Sequence, residues 1–186
     1  REPAPNNFSF NSAQGACPKC KGLGFVSEID REKVMPDPSL SVRKGGLAPL
    51  GEYRNRLIFW EIQTVLEQAG FDLATPLAEL PEEVLDTIFN GSGERLRIPG
   101  EIMHTTDDQH VEFFGLVKYI RQMADSEMTA AAQKWAEQFS KEIVCPCCNG
   151  QRLNKEALSY RFDGKNIAEL AAMDIGELYE WLEDVE

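Results

Sequence analysis

No apolar run in this sequence is long enough to cross a bilayer as a helix, which argues against a membrane-spanning role. There is no G-x-x-x-x-G-K loop followed by Ser or Thr, and no G-x-S-x-G elbow. Neither a P-loop nucleotidase nor an α/β-hydrolase can therefore be read from the chain. No carboxylate pair or Ser/His/Asp set is selected by spacing. Histidine is nearly absent: His104 and His110 stand near Asp107 and Asp108, and no ligand-spacing rule picks them out as a metal site. Positive charge is also short, with 19 Lys and Arg against 31 Asp and Glu and a net charge of −12. A surface basic throughout is excluded, and any phosphate-binding patch must be local. Arg43-Lys44 is the one adjacent basic pair, and no Lys or Arg follows Lys165, while Glu169, Asp174, Glu177, Glu180, Glu183, Asp184 and Glu186 do.

The informative residues are cysteines. Cys17-Pro18-Lys19-Cys20-Lys21-Gly22 and Cys145-Pro146-Cys147-Cys148-Asn149-Gly150 both read C-P-x-C-x-G. Two such knuckles supply four thiolates, the donor set of a closed structural zinc site. The Gly two places after the second Cys permits the tight turn, where a side chain would hinder positive φ. Cys147 occupies the position of Lys19 in the first knuckle and is a bystander on this pattern. The ligands are then Cys17, Cys20, Cys145 and Cys148, with residues 21 to 144 between the halves. Four thiolates leave zinc no open position, so the site is structural and not catalytic. An odd cysteine count and no stretch resembling a signal peptide favour a reducing cytoplasm over a disulfide framework.

Along the chain, Phe8 and Phe10 alternate as in a short strand, and Phe25 to Ile29 suits another. Asp30 to Leu50 holds Pro36, Pro38, Pro49 and Gly45-Gly46 and reads as loop with one short strand or turn. Leu57 to Ala69 carries apolar residues at helical spacing and ends at Gly70. Pro81-Glu82-Glu83 opens a helix that Asn90-Gly91 stops. Arg95 to Ile98 alternates like an edge strand, and residues 100 to 112 are polar. Val111 to Met123 places Val117, Ile120 and Met123 on one side, and Ser126 to Glu142 reads as a helix capped by Ser126. Ala157 to Phe162 alternates like a strand, with Asp163-Gly164 as the turn of a return. Ile167 to Leu170 is a short helix, and Asp174 caps a last helix with Ile175, Leu178, Trp181 and Leu182 on one face. The expected class is α+β: a mostly helical insertion domain (49–142) on a small β-containing zinc module (1–48 and 143–186) with a C-terminal helix. The first residue is Arg1, not Met, and the chain reads as a piece of a larger protein.

Several stretches carry a family resemblance. Phe8-Ser9-Phe10-Asn11, Gly15 to Gly24, Gly70 to Leu73, Leu80 to Val84, Gly150-Gln151-Arg152-Leu153, Gly164 to Leu170 and Met173 to Leu178 closely resemble the first signature-domain region of the UvrA family. UvrA is the ATPase subunit of the bacterial excinuclease. The resemblance implies nucleotide excision repair, recognition of damaged double-stranded DNA, self-dimerisation and loading of UvrB. It also implies ATP-binding modules outside this segment, which would not itself be catalytic. Zinc ligands carry over to Cys17, Cys20, Cys145 and Cys148. Contact with DNA carries over to basic residues of the insertion, here Arg43, Lys44, Arg54, Arg56, Lys118 and Arg121. Two other readings compete. Cys17 to Gly24 also resembles one repeat of the DnaJ cysteine-rich chaperone module, and the acidic last helix would suit a protein-interaction domain of a UvrA paralogue.

Overall fold

The computed structural model describes residues 3–100, 106–127 and 129–185. His104 lies outside them. In chain order the elements are a 3-10 turn (Pro5–Phe8), β1 (Phe25–Ile29), α1 (Arg31–Val34), α2 (Leu57–Gln68), a 3-10 turn (Leu77–Glu79) and α3 (Glu82–Asn90). There follow β2 (Arg95–Ile98), β3 (Gln109–Glu112), α4 (Gly115–Glu127), α5 (Ala130–Glu137) and β4 (Ser140–Val144). The last are α6 (Lys155–Ser159), α7 (Ile167–Ala171) and α8 (Ile175–Asp184). The class is α+β. None of these helices is long and apolar enough to cross a membrane.

The chain forms two compact units, residues 29–141 and residues 1–28 with 142–186. The 29–141 unit has its own apolar core. Ile58, Phe59, Ile62, Val65 and Leu66 recur at helical spacing, so α2 buries one face. Leu85, Ile88 and Phe89 do the same for α3. Leu116 and Ile120 of α4 and Phe113 just before it complete the cluster. Residues 29–48, grouped from sequence with the zinc module, also contribute to this core through Val34, Val42 and Leu47. Gly91 and Gly115 let two chain segments cross tightly. A Cβ on Gly91 would lie 2.5 Å from the Phe113 carbonyl oxygen, and one on Gly115 would lie 2.4 Å from the Gly91 nitrogen. That approach fixes where α4 begins. β2 and β3 pair antiparallel, with Leu96 opposite Val111 and Arg97 opposite His110, and Arg97 also pairs with Asp108.

β1 pairs with β4, and the unit of residues 1–28 and 142–186 also holds short capped helices. Asp174 and Asn166 both form reciprocal boxes with the Glu three residues on, Glu177 and Glu169, which satisfies first-turn N–H groups.

Several local expectations are corrected. Phe8 lies in a 3-10 turn, where Pro5 presets φ and the Asn7 side chain accepts from the Ala4 N–H at 2.9 Å. The 30–50 segment holds α1, capped by Asp30, whose Oδ1 accepts from the Glu32 N–H at 3.1 Å. The helix expected over 126–142 is split. Ser126 belongs to the end of α4, Thr129 is the true N-cap of α5, and the chain is already in β4 by Ser140. Residues 155–159 are helix and not strand, because the Asn154 side chain caps them by accepting from the Ala157 N–H at 2.8 Å. Residues 109–112, read as polar loop, are β3.

Candidate metal centre

The two knuckles fold alike, down to single bonds. The amide of the residue three after the second Cys donates to that Cys carbonyl: Leu23 to Cys20 at 3.0 Å, Gln151 to Cys148 at 2.9 Å. The amide four after it donates to the sulfur: Gly24 to Cys20 Sγ and Arg152 to Cys148 Sγ, both at 3.3 Å. Both need a left-handed pair. Lys21 and Gly22 have φ of 53° and 87°, and Asn149 and Gly150 have 48° and 81°. Glycine is required at position 22 for a second reason, since a Cβ there would lie 2.0 Å from the Phe10 carbonyl oxygen.

This brings all four sequence-selected sulfurs together. The Sγ atoms of Cys17, Cys20, Cys145 and Cys148 lie within 4.8 Å of one another and are buried. Cys17 Sγ is 3.9 Å from Cys145 Sγ, and Cys20 Sγ is 3.7 Å from Cys148 Sγ. Neither pair is a disulfide, and all five cysteines are free thiols. The donor set fits zinc. Zn–S bonds of about 2.3 Å in a tetrahedron put sulfurs about 3.8 Å apart, and the separations of 3.9 and 3.7 Å lie on either side of that value. Cys147 is exposed and outside the set of four, as the match between the knuckles implies.

The sulfurs do not titrate alike. Burial pushes the Cys17 thiol up, but the amides of Cys20 and Lys19 outweigh it and bring the pKa to about 6. Burial, helped by neighbouring thiols, raises Cys148 to about 12 despite the Arg152 amide. Crowded thiols resist ionising together, and a divalent cation removes that conflict.

Arg152 is the residue that spacing alone did not single out. Its Nε donates to the Gly22 carbonyl at 2.7 Å, its carbonyl accepts from the Cys17 amide at 2.9 Å, and its guanidinium carbon sits 3.6 Å from the Phe10 ring centroid. It thus ties the second knuckle to the first. The signal was its place four residues after Cys148, matching Gly24 after Cys20.

The six basic residues proposed for DNA lie in the 29–141 unit and are exposed. None is ion-paired with a described carboxylate. Arg43 lies over the Tyr53 ring at 5.6 Å, and Lys118 over Phe114 at 3.4 Å. Arg54 and Arg56 precede α2, and Lys118 and Arg121 lie on α4. Between the first turns of these two helices is a cavity of about 300 Å³, lined in part by Arg56, Glu61, Phe114 and Tyr119.

Comparison with known proteins points one way. The profile of the UvrA DNA-binding domain family matches residues 30–138. UvrABC system protein A of Clostridium perfringens is 32% identical over 99% of this chain and 20% of its own length. The protein of that name from Bacillus subtilis is 29% identical over 97% of the chain and 19% of its own length. The crystal structure of UvrA2 from Deinococcus radiodurans matches with a TM-score of 0.66 and 28% identity, covering 95% of this chain and 23% of that one. The chain spans about a fifth of the length of the curated relatives it matches.

Proposed function

The chain belongs to the UvrA family through its DNA-binding domain, and from that premise we propose that it is the zinc-clasped, DNA-gripping segment of an excision-repair damage sensor. The observation that carries this reading is the burial of four sulfurs, from knuckles 128 residues apart, in one cluster. Those knuckles precede and follow the 29–141 unit in sequence. Zinc, when bound, supplies the charge that lets the thiolates coexist and cross-links the two ends of that insertion. Cys17, Cys20, Cys145 and Cys148 hold it. The backbone amides of Gly24 and Arg152 steady two of the sulfurs, and Arg152 holds the knuckles in register. No position remains for water, so the site performs no chemistry on substrate.

DNA contact falls to the 29–141 unit, with Arg43, Lys44, Arg54, Arg56, Lys118 and Arg121 on phosphates. Their exposure, and the lack of an ion pair to any carboxylate among the described residues, support this in an otherwise acidic chain. We assign ATP hydrolysis, UvrB loading and self-dimerisation to the remainder of a UvrA-type protein, and its place to the cytoplasm. Binding of labelled duplex DNA over a range of salt is the test. Log affinity should fall linearly with log salt, and each of the six changed to Gln should lower the slope by about one. A salt-independent affinity, or none, would refute the reading.

A second reading has one observation in its favour. α8 exposes Ile175, Tyr179 and Leu182 among acidic residues, with Ile175 88% exposed. Such a face suits a protein contact. Ile175→Asp with Tyr179→Asp should leave DNA affinity unchanged if the two surfaces are separate.

A further inference from the structure

The cavity between the first turns of α2 and α4 has a polarity of its own. Glu61 and Glu112 line it, and Arg56 lies at the start of α2. Leu57, Phe114 and Tyr119 supply apolar and aromatic wall, and Gln122 adds an amide. Phe114 is 41% exposed for a phenyl ring, and Lys118 is held over it. The Glu61 side chain is half-buried and has no ion-pair or hydrogen-bond partner among the described residues. Burial raises its pKa to about 7, the mark of a carboxyl held without compensation.

Two carboxyl groups inside disfavour phosphate in the cavity itself. Acceptors inside, aromatic walls, and cations at Arg56 and Lys118 describe a nucleotide whose amine edge points in and whose phosphates stay out. Resting on the DNA-binding reading above, we propose that this cavity is a subsite for one unpaired nucleobase carrying an exocyclic amine. Phe114 and Tyr119 flank the base, Glu61 accepts from the amine, and Arg56 and Lys118 meet the adjacent phosphates. Thymine has no exocyclic amine and is the discriminating case. An exocyclic N–H finds an acceptor oxygen on Glu61 whether or not the carboxyl is protonated.

The test is affinity of the full 186-residue chain for labelled duplexes that are fully paired or carry one unpaired A, C or T, at one salt concentration. Unpaired A and C should bind about tenfold tighter than unpaired T or the paired duplex. Glu61→Leu should abolish the preference for A and C over T. Phe114→Ala, a change at an exposed side chain, should weaken all three unpaired duplexes. Glu61→Leu should leave affinity for the paired duplex unchanged, which also reports that this variant is folded, and Phe114→Ala should lower it by no more than Lys118→Gln does. Paired binding with no difference among the bases, or a preference that survives both variants, would overturn the subsite and leave the DNA-binding reading standing. Absence of any DNA binding by the wild type would overturn both.

Discussion

The 29–141 unit buries Phe59, Ile62, Leu66, Ile88, Phe113, Leu116 and Ile120 in one cluster. In the other unit the buried apolar side chains among the described residues are four cysteines, Leu153 and Ala157. One unit therefore rests on area removed from water, while the buried centre of the other is four sulfurs with little apolar surface around them. Short capped helices and a two-stranded sheet bury too little surface to hold the second unit unaided. On the zinc proposal, the metal would supply the fold of that unit, and the contrast predicts that the two units fail separately.

Metal removal should show the largest effect, since zinc contributes on the order of 10 kcal/mol in small modules. Chelation should speed amide exchange across residues 8–24 and 145–165 and leave α2 and α3 protected. Cys148→Ser should reproduce it, and Cys147→Ser should retain the metal. Uniform exchange across both units would erase the distinction. Core truncation is the mirror image. Phe59→Ala should destabilise the 29–141 unit by about 3–5 kcal/mol in a denaturant titration, with zinc stoichiometry unchanged. Gly22→Ala forces a Cβ onto the Phe10 carbonyl at a φ of 87°. It should cost about 2–3 kcal/mol, read as weaker zinc retention against a competing chelator and not as lost helicity.

The smallest effect concerns pH. Burial raises Glu61 from 4.5 to about 7, so the folded state holds its proton longer than the unfolded one. Stability then declines as pH rises from about 4.5 through about 7. Glu61→Gln should match the wild type near pH 4 and exceed it near pH 8 by about 1–2 kcal/mol, allowing for the solvent that reaches a half-exposed group.

How much of this the sequence disclosed depended on distance along the chain. The knuckles were legible because ligand spacing is local and occurs twice, and the match between them is enough to set Cys147 apart. α2, α3 and α8 were legible from apolar spacing with Gly70, Pro81 and Asp174 at their ends. α1 and α6 are four and five residues long, too short for a period to emerge, and their caps, Asp30 and Asn154, are single polar residues in loop-like stretches. β3 forms because β2 lies beside it, and pairing partners leave no local trace. The Glu61 cavity was hidden for the same reason. Its walls come from residues 56–61 and 112–122, and nothing near Glu61 in sequence records that the second stretch lies beside it.

X-ray absorption at the zinc edge of the purified chain, with metal content measured on the same sample, tests the central claim most directly. One zinc per chain, with four sulfur neighbours at about 2.3 Å, is the predicted result. An ordered unit of residues 1–28 and 142–186 without bound metal, or a shell containing nitrogen or oxygen in place of any of the four sulfurs, would contradict it.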